Sequence, residues 1–198
     1  ESKRSPHYLE GSNYEVRSIV RLARGDPDGA REDADLALVV ARRAEDPQAV
    51  GPLLAHRAAL LVELGDVDAA NADVDEIVGM FGPDTFPLSP VAVVAVVFES
   101  LGRRDDLERM RDSMNPTRWR DALDCHLTGD TAAAADICEE IGMLLAAARW
   151  RLLGGSVLAE RGHQAEADLQ LEKALAFFDS VGAPRYARQA ESLLSATA

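Results

Sequence analysis

Lysine, cysteine and aromatic side chains are scarce in this chain of 198 residues. Lys3 and Lys173 are the only lysines, Cys125 and Cys138 the only cysteines, and aromatic residues make up 5%. With so few bulky rings, the core must come from close helix contacts, for which the abundant alanine is suited. Basic residues are outnumbered, 21 to 34 acidic, giving a net charge of −13. Nucleic-acid and anionic-membrane surfaces need clustered Lys and Arg, so neither is an expected partner. The acid excess reads as a solubilising exterior. No stretch reaches the ~20 uninterrupted apolar residues of a membrane span. The run VAVVAVVF at 91–98 is far shorter, and no secretory signal is legible. A cytoplasmic location is the expectation, and a start at Glu1 without methionine suggests a piece of a longer protein.

The chemistry-bearing residues are dispersed. His7, His56, His126 and His163 lie on separate hairpins, with no pair at ligand spacing on one helix. No phosphate-binding loop, glycine-rich dinucleotide turn or serine-hydrolase elbow occurs. The pairs Glu139/Glu140 and Asp105/Asp106 are adjacent in sequence, so they point to different sides of a helix. No catalytic constellation, cofactor or metal is therefore expected, and the chain is not read as an enzyme. Cys125 and Cys138 fall on facing helices of one hairpin. They read as small buried hydrophobes of a reducing compartment, with a redox switch as the alternative.

What the chain does contain is a repeat. Gly25, Gly65, Gly102, Gly129 and Gly162 are each followed five residues later by Ala30, Ala70, Leu107, Ala134 and Ala167. Seven residues before each glycine stands a small residue: Ser18, Ala58, Ala95, Ala122 and Gly155. A glycine turn between antiparallel helices, flanked by small residues where the backbones approach, is the signature of stacked helical hairpins. The glycine spacings of 40, 37, 27 and 33 scatter around the ~34 of a tetratricopeptide repeat.

Helix starts are marked by Asp26-Pro27, Asp46-Pro47, Ser89-Pro90 and Asn115-Pro116, and by Asp66 and Asp130 without proline. The repeat glycines, Gly82 and Gly182 mark stops. These signals predict eleven helices, over 14–24, 27–44, 47–64, 67–81, 90–101, 104–113, 116–127, 131–141, 144–161, 164–181 and 184–195. The fold class expected is all-α: a TPR-like superhelical solenoid of about five hairpins plus a C-terminal capping helix. Residues 82–90 (GPDTFPLSP) form the one long linker. They are read as a rigid loop within a single domain spanning 1–198, with a hinge there as the alternative.

In such a stack the first helix of each hairpin lines the concave face. The candidate binding residues on it are Leu22, Val62, Glu63, Glu99, Trp119, Leu123, His126 and Leu152. Trp119 is either an exposed hot spot or packed against the next hairpin. The groove would be mostly apolar with a few acids.

Four segments carry a family resemblance: 45–66 (EDPQAVGPLLAHRAALLVELGD), the stretch from Trp119 to Asp130 ending LTGD, 132–152 (AAAADICEEIGMLLAAARWRL), and 161–198. They resemble the C-terminal helical-repeat region of large actinobacterial regulators. Those regulators carry an ATPase module and often a nucleotide-cyclase domain; similar tails occur on LuxR-type regulators. The resemblance implies a sensory or autoinhibitory solenoid that holds the ATPase in one state until a partner or ligand binds. The leading reading is a non-enzymatic, protein-interaction region of a signalling or transcription-regulating protein. Its partner would be a protein or peptide, its own ATPase or cyclase modules included, or a second copy in a homodimer. The alternative is a small-molecule or peptide sensor that binds in the concave groove.

Overall fold

A computed structural model describes residues 10–43, 47–80 and 91–196. These form eleven α-helices and no strand among the described residues. They are α1 (Glu10–Arg24), α2 (Pro27–Arg43), α3 (Pro47–Leu64), α4 (Val67–Met80), α5 (Val91–Ser100), α6 (Arg104–Ser113), α7 (Arg118–Leu127), α8 (Thr131–Glu140), α9 (Leu144–Glu160), α10 (Gln164–Ser180) and α11 (Pro184–Ala196). The chain divides into two compact units: Glu1–Leu22 with Asp26–Ser113, and Met114–Ala198 with Ala23–Gly25. The division falls after Ser113; the linker at 82–90 lies outside the described residues.

Local chemistry explains the helix ends. The five repeat glycines and Gly182 all adopt positive φ, where a Cβ would strain the backbone. The residue after each donates its N–H to the carbonyl five residues back, as Asp66 does to Leu61 at 2.9 Å and His163 to Leu158 at 2.9 Å. This is the bond of a Schellman stop, which satisfies carbonyls the helix leaves orphaned. Gly142 forms the same turn between α8 and α9, which the sequence reading did not single out. Asp26 and Asp130 cap α2 and α8, accepting from Gly29 N at 3.0 Å and Ala133 N at 2.9 Å. One expected cap is corrected. α7 starts at Arg118, with Thr117 accepting from Arg120 N at 3.3 Å, so the capping oxygen is two residues beyond Asn115. The expected caps at Asp46 and Ser89, and the stop at Gly82, lie outside the described residues.

In the first unit α2 packs on α3, α3 on α4 and α5, and α5 on α6. Hairpin α1–α2 is antiparallel and close: Ser18 meets Ala30, while Gly11 lies against Ala37 and Leu53. A Cβ at Gly11 would come within 3.0 Å of both the Ala37 carbonyl and the Leu53 side chain. Arg17 forks onto Asp33, and Arg57 forks onto Asp73 at 2.8 and 2.5 Å. Both pairs span 16 residues, and they stand 40 residues apart, the separation of Gly25 and Gly65. The hairpins α1–α2 and α3–α4 thus repeat in side-chain bonding as well as in turn position. Helix α5 buries Val91, Ala92, Val94, Ala95, Val97 and Phe98, as its uniformly apolar sequence requires.

In the second unit α8 packs on α7 and α9, and α10 on α9 and α11. Helices α9 and α10 approach closely at Gly155: a Cβ there would sit 2.6 Å from Leu171 Cγ. Trp150, Leu123, Leu171 and Phe178 fill this core. Phe178 stacks on Tyr186 of α11 with ring centroids 5.1 Å apart, which ties down the last helix.

Candidate functional site

The eight residues expected to line a groove fall into two groups. Val62, Glu63, Glu99 and Trp119 are half-buried. Leu22, Leu123, His126 and Leu152 are core residues, which corrects the expectation that they face an open groove. His126 stacks on Trp150 at 5.6 Å between centroids, with the ring planes 8° apart. The first four of the eight, in chain order, lie in the first unit and the other four in the second.

The thiols are poor nucleophiles. Burial pushes Cys138 up to about 11, and burial followed by the nearby Asp130, Asp124 and Asp121 carboxylates raises Cys125. Neither is in a disulfide. No group of three His, Cys, Asp or Glu side chains able to hold a metal occurs among the described residues.

The sequence reading missed a charged network within the second unit. Arg151, on α9, is almost wholly buried, yet its guanidinium donates to Glu139 Oε1 at 3.0 Å, Asp136 Oδ1 at 2.7 Å and Gln170 Oε1 at 2.7 Å. Helices α8 and α10 are thereby both held to α9. The signal was available. Ala147, Arg151, Gly154 and Leu158 lie at helical spacing on one side of α9, which places the arginine on the packed stripe. Trp150, its neighbour, has an indole N–H without a hydrogen-bond partner among the described residues.

Beside this network is a cleft of about 290 Å³, lined by the start of α8, the second half of α9 and the first half of α10. Val157, Leu158 and Leu169 supply an apolar wall, and Asp130, Thr131, Arg161, Glu166 and Gln170 supply polar groups. Gly154 lets α8 approach: a Cβ there would lie 3.0 Å from Thr131 Cβ. Gln170 is only 7% exposed. Its oxygen is taken by Arg151, and its amide nitrogen has no partner among the described residues. Arg161 likewise takes part in no ion pair among them.

No helix among the described residues is long and apolar enough to cross a membrane. Comparison of the chain with protein-family models, curated proteins and solved structures gives no match.

Proposed function

We propose that this chain is a non-enzymatic, TPR-like interaction solenoid of a bacterial signalling or transcription-regulating protein. It would act by presenting a surface whose helix pairs shift slightly when a partner binds. The repeat supports the architecture: the same turn, the same small-residue approach and the same Arg–Asp fork recur at 40-residue spacing in α1–α4. The resemblance to the helical-repeat region of ATPase- and cyclase-bearing regulators supports the role. It makes those modules the first expected partner.

The observation that carries the interaction reading is at the α8–α9 corner. Met143, Leu144 and Leu145 are consecutive and all exposed, Leu144 by 52%, on a chain otherwise rich in surface charge. Isolated exposed apolar residues need no explanation, whereas adjacent ones mark contact surfaces. A photo-crosslinking residue at Leu144, compared with one at the exposed Glu172, tests this in the producing cell. A protein adduct specific to position 144, lost on adding Leu145→Asp, is expected. Equal labelling at both positions, or none at 144, rejects the reading.

The alternative of a ligand held in the concave groove loses support from the packing, since Leu123, His126 and Leu152 are buried within the core.

A further inference from the structure

We infer that the cleft between α8, α9 and α10 is a binding site for a free aliphatic α-amino acid. In the first unit, ion pairs tie the residue after a turn glycine to the preceding hairpin. There Asp66, the residue after a turn glycine, pairs with Arg31 of α2 at 2.6 Å. Arg103, also directly after a turn glycine, reaches Asp75 of α4 at 2.8 Å. The corresponding residue at the start of α10 is His163, whose ring lies 3.6 Å from Glu166 of its own helix. No ion pair joins α8 to α10 among the described residues, and the space is an open cleft.

The groups around that cleft are complementary to a zwitterion with an apolar side chain. Arg161 is a cation without an ion-pair partner, able to take a carboxylate through two parallel hydrogen bonds. Gln170 is more than nine-tenths buried as a residue, and its amide N–H group, which keeps access to solvent, has no acceptor among the described residues and is available to a ligand carboxylate. Asp130 and Glu166 provide the opposite charge for an ammonium. Val157, Leu158 and Leu169 form the apolar wall for an aliphatic side chain. The two carboxylates disfavour a phosphate or other polyanion, because like charges repel at this range. The volume, about 290 Å³, holds one small molecule and not a folded segment. The site stands or falls independently of the interaction surface at the α8–α9 corner.

Titration of the full ¹⁵N-labelled chain with L-leucine, followed by NMR, tests the assignment. Expected are saturable shifts centred on residues 129–132 and 154–170, with weaker binding by glycine. 4-Methylpentanoate, which lacks the ammonium, and 3-methylbutylamine, which lacks the carboxylate, should each bind at least about tenfold more weakly, the equivalent of 1.4 kcal/mol. Arg161→Gln should lose at least about tenfold in affinity with an unchanged thermal melt, since that side chain is in no ion pair among the described residues. Leu169→Asp, at an exposed position, should do the same through the apolar wall. Absence of shifts in these segments at about 10 mM leucine would overturn the proposal. So would equal binding of 4-methylpentanoate, or wild-type affinity in either variant.

Discussion

His56 Nε2 lies 3.0 Å from Ser18 Oγ in the core of the first unit, and the Ser18 hydroxyl donates to the Ala30 carbonyl at 2.7 Å. A hydroxyl has one proton to give, so the hydrogen between Ser18 and His56 belongs to the imidazole, which is therefore protonated at Nε2. Three helices, α1, α2 and α3, meet in this short chain of bonds.

Three other hairpins carry alanine at the position of Ser18 (Ala58, Ala95 and Ala122), and alanine is smaller than the serine it would replace. Ser18→Ala then removes hydrogen bonds without overpacking and takes the acceptor from a buried N–H. We expect a loss of about 1–3 kcal/mol in urea unfolding of the full chain. A change below about 0.5 kcal/mol would mean that the bond contributes nothing net.

Two glycines in helices should respond in opposite directions. Gly155→Ala places a Cβ 2.6 Å from Leu171 Cγ and 3.3 Å from the Ala167 carbonyl, and should destabilise by about 1–3 kcal/mol. Gly79→Ala, in α4, meets nothing within 4 Å and has no positive φ to relieve. It should stabilise by about 0.4–1 kcal/mol, because the unfolded chain loses freedom. Thermal melts of the two variants side by side decide the matter.

The acid response has two components of opposite sign. Hydrogen bonds from Arg17 hold Asp33 below its ordinary value, and those from Arg31 and the Ala69 backbone do the same for Asp66. Their stabilisation is complete above the unfolded value of 3.8 and is lost as pH falls through the lower folded values. Burial raises Glu15 above 4.5, so its ionisation in the folded state costs stability. That cost is absent below 4.5 and complete above the raised folded value. Glu15→Gln should therefore raise the melting temperature at pH 7 and leave it unchanged at pH 3. Asp33→Asn should lower it at pH 7, with the deficit shrinking below pH 3.8. Melts across this range check both signs.

Cys138, raised to about 11 and fully buried, should resist iodoacetamide at pH 8, where roughly one thiol in a thousand is ionised. Cys125 is half-buried and should be modified first, with Cys138 following only on addition of denaturant. Mass spectrometry of timed samples reads the order. Rapid formation of a disulfide between the two under mild oxidant would revive the redox switch.

The elements were legible because their causes are local. Gly65 stops α3 through a bond from Asp66 to Leu61, all within six residues, and Asp130 caps α8 through Ala133. The bounds of α3 and α6 match the expected ones residue for residue. Near-equivalents blurred the reading where two neighbours could do one job: Thr117 caps α7 where Asn115 was expected. The candidate site was less legible. Leu123 and His126 alternate correctly for a first helix of a hairpin, yet the same spacing serves a groove wall and a core stripe. Which one applies depends on Trp150, 24 residues beyond His126, stacking across from it.

By itself, then, the sequence determined eleven helices and most of their ends, the small residues at the hairpin crossings, and the acidic exterior. These follow from backbone geometry and charge that act over a few residues. Tertiary structure alone decided which partners the buried Arg151 would meet, Asp136, Glu139 and Gln170, and that Arg161 would face an open cleft with no ion-pair partner among the described residues. An arginine carries the same charge and helix propensity in either place. Its neighbours come from helices that only packing brings together, and they settle which charge is satisfied within the fold and which is left to meet something else.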